Sequence, residues 1–392
     1  MIGIRIRRSE ILNILALIPF FEPFSISLLA SNSTFWTVVS GGFALARYII
    51  SYIYILKTLM SANTIKFNSI TILCIIFIIV RIAASMLNGS LYFGFAISAI
   101  SYVGYIFQFN YWVKTKGLSY VISLYMKMFG IFFVIGIISI VIYPNGLNMS
   151  STKTQAIYLL GSKNSSFFYF FGFLSFYGLW ILINNRRKTI LIELSFVAAM
   201  VASLICESSN SFASILLLCI TYFCIKESHK IYKHIPPRFM LMTFIIFVAM
   251  LLVGNILKEF TPVLQLIGRD STLSGRDYIW HEQLTMIQNS FLWGNGINTR
   301  TTLMSSAIAT HAHNFYLDTF VKFGIASLGC LLLALYVSAA NISSMSRNKY
   351  RGYLVGVLLT LLLHSVFDDV SIYLLITVLL LTGARKQYMK VK

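Results

Sequence analysis

The stretch His311-Ala312-His313-Asn314-Phe315-Tyr316-Leu317-Asp318 concentrates groups that can move a proton. An imidazole titrates at about 6.5 when unperturbed, so one placed here can take a proton from a hydroxyl near neutrality. Two other readings stand beside a general base. His311 and His313 could be metal ligands, although no clear third ligand follows, or a purely structural pair. Arg47 and Arg81 offer a second chemistry, because both lie inside long apolar runs. A central arginine there costs roughly 2.5–3.5 kcal/mol on insertion scales, which makes it a functional lead. Two guanidinium forks on one outward cavity would suit a phosphate or diphosphate, whose oxygens they bind in pairs. The alternative is that each arginine satisfies backbone carbonyls or pairs with Glu22. The sequence has no phosphate-binding glycine loop, dinucleotide fingerprint, serine-hydrolase elbow or zinc-protease helix, so soluble-nucleotide chemistry has no support.

The elements that would hold these groups are membrane helices. Hydrophobic residues make up 58% of the chain and charged ones 11%, too little polar surface for a soluble body of this size. The apolar residues come in long uninterrupted runs, whereas a membrane barrel would show short alternating segments. The expected fold is therefore all-α, a polytopic bundle with about twelve spans. These fall at 11–30, 35–56, 69–88, 91–112, 119–143, 165–184, 189–206, 211–226, 239–257, 314–338, 353–367 and 370–383. The organisation is a bundle over 1–257, a long external loop with an amphipathic helix over 258–313, and further spans over 314–392.

The formal net charge of +19 records topology rather than a nucleic-acid partner. Of 31 Lys and Arg residues, 21 fall in alternate gaps, among them Arg5, Arg186, Lys233, Lys349 and Lys392. The opposite gaps hold Lys153, Lys163, Lys258, Arg269, Arg276 and Arg300, and four cations lie inside spans: Arg47, Arg81, Lys127 and Lys322. The positive-inside rule then places both termini in the cytoplasm. Cys74, Cys206, Cys219, Cys224 and Cys330 all fall inside apolar runs with no paired metal-ligand spacing, and free, buried thiols are expected. The first run follows Arg5, Arg7 and Arg8 as a signal peptide would, but Pro19, Glu22 and Pro23 interrupt it and it reads as a retained helix.

Within the long loop, Ser274-Gly275-Arg276-Asp277 puts a carboxylate three residues after a serine, as a capping box does. Trp280, Leu284, Ile287 and Phe291 follow at helical spacing and predict an amphipathic helix against the membrane surface or the bundle. Trp293-Gly294-Asn295-Gly296 would end it in a tight turn.

Taken in order, these residues resemble the signature of the bacterial O-antigen ligase and O-antigen or capsule polymerase superfamily. The stretch that carries the resemblance runs through Gly275-Arg276, Trp280, Leu292, Gly294, Gly296, His313-Asn314, Tyr316-Leu317 and Gly324. Two positions depart from it. The family commonly has Glu two residues before the glycine matched by Gly324, where this chain has Lys322, and often Ser-Arg where this chain reads Ser209-Asn210-Ser211. Arg47, Arg81 or Arg276 would then have to supply the missing anion contact.

The resemblance implies a glycosyltransferase at the outer face of the bacterial cytoplasmic membrane, using a glycan on undecaprenyl diphosphate as donor. It implies His313 and Arg276 as catalytic residues, and Arg47, Arg81, Asn314, Trp280 and Tyr316 as residues that bind the diphosphate or glycan. It implies no cofactor, no metal and no nucleic acid. The partners are the lipid-linked glycan, the bilayer, and with them a chain-length regulator and a flippase. A polymerase is preferred to a ligase, which differs in taking a lipid A core sugar as acceptor. From another class, a polysaccharide or lipid-linked sugar transporter or flippase would also explain a basic cavity, but such proteins tend to carry internal repeats and short external loops, and no repeat is visible here.

Overall fold

The computed structural model describes residues 8–30, 33–61, 67–147, 156–184, 190–227, 236–238, 241–242, 244–245, 276–302, 308–309, 312–346 and 348–388. Apolar runs without helix breakers form helices, as expected: α1 (Arg8–Leu15), α2 (Phe24–Ala30), α3 (Thr34–Met60), α4 (Ser69–Leu87), α5 (Phe93–Lys116), α6 (Leu118–Ile142), α7 (Phe167–Ile183), α8 (Ile190–Ile205) and α9 (Ser209–Glu227). From residue 276 onward come α10 (Arg276–Asn289), α11 (Phe315–Ser343), α12 (Lys349–Phe367) and α13 (Ile372–Tyr388). Two small hairpins join them, β1 (Ile157–Tyr158) with β2 (Gly161–Ser162), and β3 (Thr301–Thr302) with β4 (Ile308–Ala309). The chain is an all-α, polytopic bundle. Among the described residues six helices are long and apolar enough to cross a membrane, and three shorter apolar ones accompany them.

The first expected span is not one helix. Its residues form α1, a 3₁₀ turn at Ile18–Phe21 and α2, because Pro19 and Pro23 lack the amide proton a continuous helix needs. The segment still traverses the bundle. Near one end Lys127 on α6 pairs with Glu10 at 2.8 Å, and near the other the Phe24 amide donates to Leu160 O at 3.1 Å. Most of the expected span at 239–257 lies outside the described residues.

The core is aromatic. Phe20, Phe21, Tyr105, Tyr125, Phe129 and Phe176 interlock where α5, α6 and α7 meet the 3₁₀ turn. Their hydroxyls find partners across helices, with Tyr125 donating to Tyr105 at 2.7 Å and Ser101 bonded to Tyr373 of α13 at 2.7 Å. α3 packs on α5, α4 on α11, α6 on α7 and α9 on α12. The cysteines depart in part from expectation: Cys74, Cys206 and Cys219 are buried, but Cys224 is exposed and Cys330 half-buried, on helix faces turned outward from the bundle.

A helix forms at the expected place, α10, and it lies on α11. Ile279, Trp280 and Ile287 are buried against Ala312, Leu317 and Val321, with Leu284 partly buried. The helix ends at Asn289, before Phe291, whose ring is exposed and meets Phe320 edge-on at 5.4 Å.

α11 is broken at Gly324, which has φ 71° and ψ −178°. An unbroken helix would bond the Ile325 and Ala326 amides to the carbonyls of Val321 and Lys322. Here the loop after α10 takes all four groups. Asn295 and Gly296 amides donate to Val321 O (2.8 Å) and Lys322 O (2.9 Å), while Ile325 and Ala326 amides donate to Phe291 O (2.9 Å) and Leu292 O (3.3 Å). Only glycine fits the break, since a Cβ on Gly324 would strike the Leu292 carbonyl. The loop is tied in turn to the end of α4, where Asn88 Nδ2 donates to Trp293 O at 3.1 Å.

Candidate active site

Among the described residues, helix ends that the charge pattern assigns to one side meet at one end of this bundle, and His313 stands among them. Asn314 caps α11, its Oδ1 accepting the amides of Tyr316 and Leu317 at 3.0 Å each. Its Nδ2 is buried and has no hydrogen-bond partner among the described residues. His313 immediately precedes the cap with φ 49°, a left-handed conformation unusual for a side-chain-bearing residue. That turn brings its Nδ1 to 3.8 Å from Asp368 Oδ1, leaving Nε2 as the other ring nitrogen.

Asp368 is the C-cap of α12, its amide donating to His364 O. Burial alone would raise its pKa. The facing His313 side chain and the charges of His364 and Arg276 outweigh burial and hold the carboxyl below its ordinary range. Next to it, burial and the repulsion of Asp318 and Asp368 push Asp369 up to about 7, against the opposing pull of Lys322 and His313. Arg276, the first residue of α10, donates from its guanidinium to Phe367 O at the end of α12. A cation is favoured there because the last carbonyls of a helix carry partial negative charge. Arg276, His313, Asn314 and the Asp368-Asp369 pair are thus drawn together from three separate parts of the sequence.

Trp280 is 3% exposed and its indole Nε1 donates to Ala312 O at 2.9 Å. Tyr316 is buried and its hydroxyl donates to Leu362 O at 3.1 Å. Both have their polar atoms on backbone carbonyls beneath the His313 turn. Arg47 pairs with Glu22 at 3.4 Å, the alternative that the sequence left open. Of the other cations inside spans, Lys127 pairs with Glu10 and Lys322 with Asp318 at 2.9 Å. Arg81 differs, with its guanidinium 4.3 Å from the centre of the Phe323 ring, just before the Gly324 break, and its Nε without a hydrogen-bond partner among the described residues. Asp318 is its nearby acidic charge, which puts Arg81 on the flank of the same acidic cluster. His311 lies outside the described residues.

Sequence reasoning passed over Asp368, Asp369 and His364. His364 is fully buried, stacked on Phe167 at 3.6 Å, with Nδ1 bonded to Ser214 Oγ at 3.1 Å. Asn210, at the position of the absent arginine, donates to His364 O at 3.3 Å. The signal for the acid pair was present: two adjacent carboxyls in a short gap between apolar runs, on the side already assigned to the histidines. Among the described residues no group of three or more His, Cys, Asp or Glu is arranged to hold a metal ion.

Residues 154–332 match the family described as O-antigen ligase, a stretch that includes Arg276, His313 and the Gly324 break. No curated protein and no solved structure gives a match to the chain. This multi-pass membrane protein therefore carries a domain of the O-antigen ligase and polymerase superfamily, whose members are membrane enzymes acting on lipid-linked glycans.

Proposed function

We propose that the chain is a glycosyltransferase that polymerises oligosaccharide repeat units carried on undecaprenyl diphosphate, at the outer face of the bacterial cytoplasmic membrane. The observation that carries this reading is His313 Nδ1 facing the buried Asp368 carboxylate, with the Arg276 guanidinium beside them. Asp368 orients the imidazole and stabilises its charged form, so Nε2 takes the proton from the acceptor hydroxyl. As that oxygen bonds to the anomeric carbon, the bond from carbon to phosphate oxygen breaks and undecaprenyl diphosphate leaves with its extra negative charge. Arg276 and Arg81 are the cations available to offset that charge, which makes them worth more in the transition state than in the ground state. No nucleotide sugar and no cofactor enters this scheme. A chain-length regulator and a flippase would work alongside it, one limiting the product and the other delivering the donor.

A ligase would use the same groups and differ only in its acceptor. Deleting the gene and resolving surface glycan on a gel separates the two. Polymerase activity predicts that chains collapse to a single repeat. Ligase activity predicts lipid-linked polymer that never reaches lipid A core, and an unchanged ladder would sink both. In purified protein, His313→Ala should abolish turnover of lipid-linked donor, while His311→Ala should be much milder.

A further inference from the structure

Ala312 has no side chain to offer chemistry, yet both of its backbone polar groups are held by side chains. Trp280 Nε1, from α10, donates to its carbonyl at 2.9 Å. Asp318 Oδ1, in the first turn of α11, accepts its amide at 3.2 Å. Asp318 is itself fixed by its second oxygen, Oδ2, which accepts from Lys322 Nζ at 2.9 Å. Ala312 is fully buried, and the residue that follows is His313 in the left-handed region at φ 49°. Such a conformation persists only where the surroundings over-determine it. Here two side chains from different helices grip the preceding residue on its two sides, while Asn314 caps the helix that follows.

We infer that Asp318 and Trp280 are positioning residues for His313, holding Ala312 so that the left-handed turn carries the imidazole to Asp368. This rests on the reading of His313 as the general base. Neither residue needs to touch substrate. Asp318 acts as a hydrogen-bond acceptor and Lys322 keeps its carboxylate in place, so the charge of the pair is dispensable while the acceptor is not. Asp318 Oδ1 serves the Ala312 amide and Oδ2 serves Lys322, so a neutral replacement must be made at both positions to keep both bonds.

The test compares purified full-length variants on lipid-linked glycan extracted from a strain lacking this chain. Asp318→Ala and Trp280→Phe should each lower kcat roughly tenfold to a hundredfold with KM little changed, the signature of a misplaced catalytic group. The double variant Asp318→Asn with Lys322→Gln keeps an acceptor for the Ala312 amide and a hydrogen bond between the pair, and should retain most of the activity. A second readout does not depend on turnover. Carbethoxylation of His313 by diethyl pyrocarbonate, followed by peptide mass spectrometry, should accelerate in Asp318→Ala and Trp280→Phe and stay at the wild-type rate in the double variant. The fully buried His364 should stay unreactive in all of them and so report an intact fold. A double variant as impaired as Asp318→Ala, or a His313 modification rate unmoved by Asp318→Ala, would overturn the inference. Wild-type protein inert on the donor would overturn the functional reading instead, with the modification rates still deciding the clamp.

Discussion

At the scale of single residues, two kinds of cation meet this membrane. Arg47, Lys127 and Lys322 each have a carboxylate within 4 Å, which offsets the cost of placing charge in an apolar bundle. Arg81 instead lies on the Phe323 ring, and Arg276 reaches a carbonyl at the end of α12. For these two, Arg→Lys should lower turnover roughly tenfold or more, because lysine keeps the charge but loses the planar fork that binds two phosphate oxygens at once. Full activity of both lysine variants at normal protein level would count against diphosphate binding there. Asp369 gives a separate prediction. With its carboxyl pushed up from 3.8 to about 7, the folded protein keeps a proton between those pH values that the unfolded chain has released. Stability therefore falls as pH rises through that window and is flat above it. Asp369→Asn removes the ionisation, so its apparent melting temperature in detergent should gain on wild type from about pH 5 to about pH 8. A pH-independent difference would show that Asp369 titrates normally.

At the scale of elements, the break in α11 joins the long loop to the bundle. Four backbone groups that a continuous helix would pair internally are paired with residues 291–296 instead, so loop and break stabilise each other and neither stands alone. Gly324→Ala should be strongly destabilising, by about 1–3 kcal/mol for the backbone conformation alone, with the collision against the Leu292 carbonyl added. Gly329→Ala, five residues on in the same helix, meets open space and should be neutral or stabilising by up to about 1 kcal/mol. Thermal stability of the two variants side by side checks this, and equal loss in both would mean that helix packing rather than the break is responsible.

At the scale of the whole molecule, among the described residues expected inner helix ends bond to inner ones and outer ends to outer ones. Lys226 pairs with Glu193 and Lys349 donates to Lys226 O at one end, while Asn210 reaches His364 O and Arg276 reaches Phe367 O at the other. The alternation of charge decides which end faces the cytoplasm. Reporter fusions after Lys188, Lys233 and Lys349 should report cytoplasm, and fusions near Ser151 and Ser305 the exterior. An external signal at Lys233 would invert the assignment and put His313 on the face opposite to the one the proposed function requires.

Hydropathy and the order of Arg276, Trp280, His313 and Gly324 were enough to establish a polytopic helical bundle and the family that residues 154–332 match, because membrane insertion acts on local composition and a signature is read along the chain. The helix at 276–289 was legible for the same reason, through its apolar stripe. What only tertiary packing decided is which charges meet. Nothing local tells Arg47 to pair with Glu22 while Arg81 lies on Phe323, or brings Asp368 to His313 across 55 positions of sequence. The end of one helix was brought to the start of another by the packing of α10, α11 and α12 as bodies, and a side chain's partner depends on that approach rather than on its neighbours in the chain. Trp280 and Tyr316 show the same limit: an aromatic at a signature position reads as a ligand contact in sequence, and only the fold reveals that its polar atom holds a backbone carbonyl.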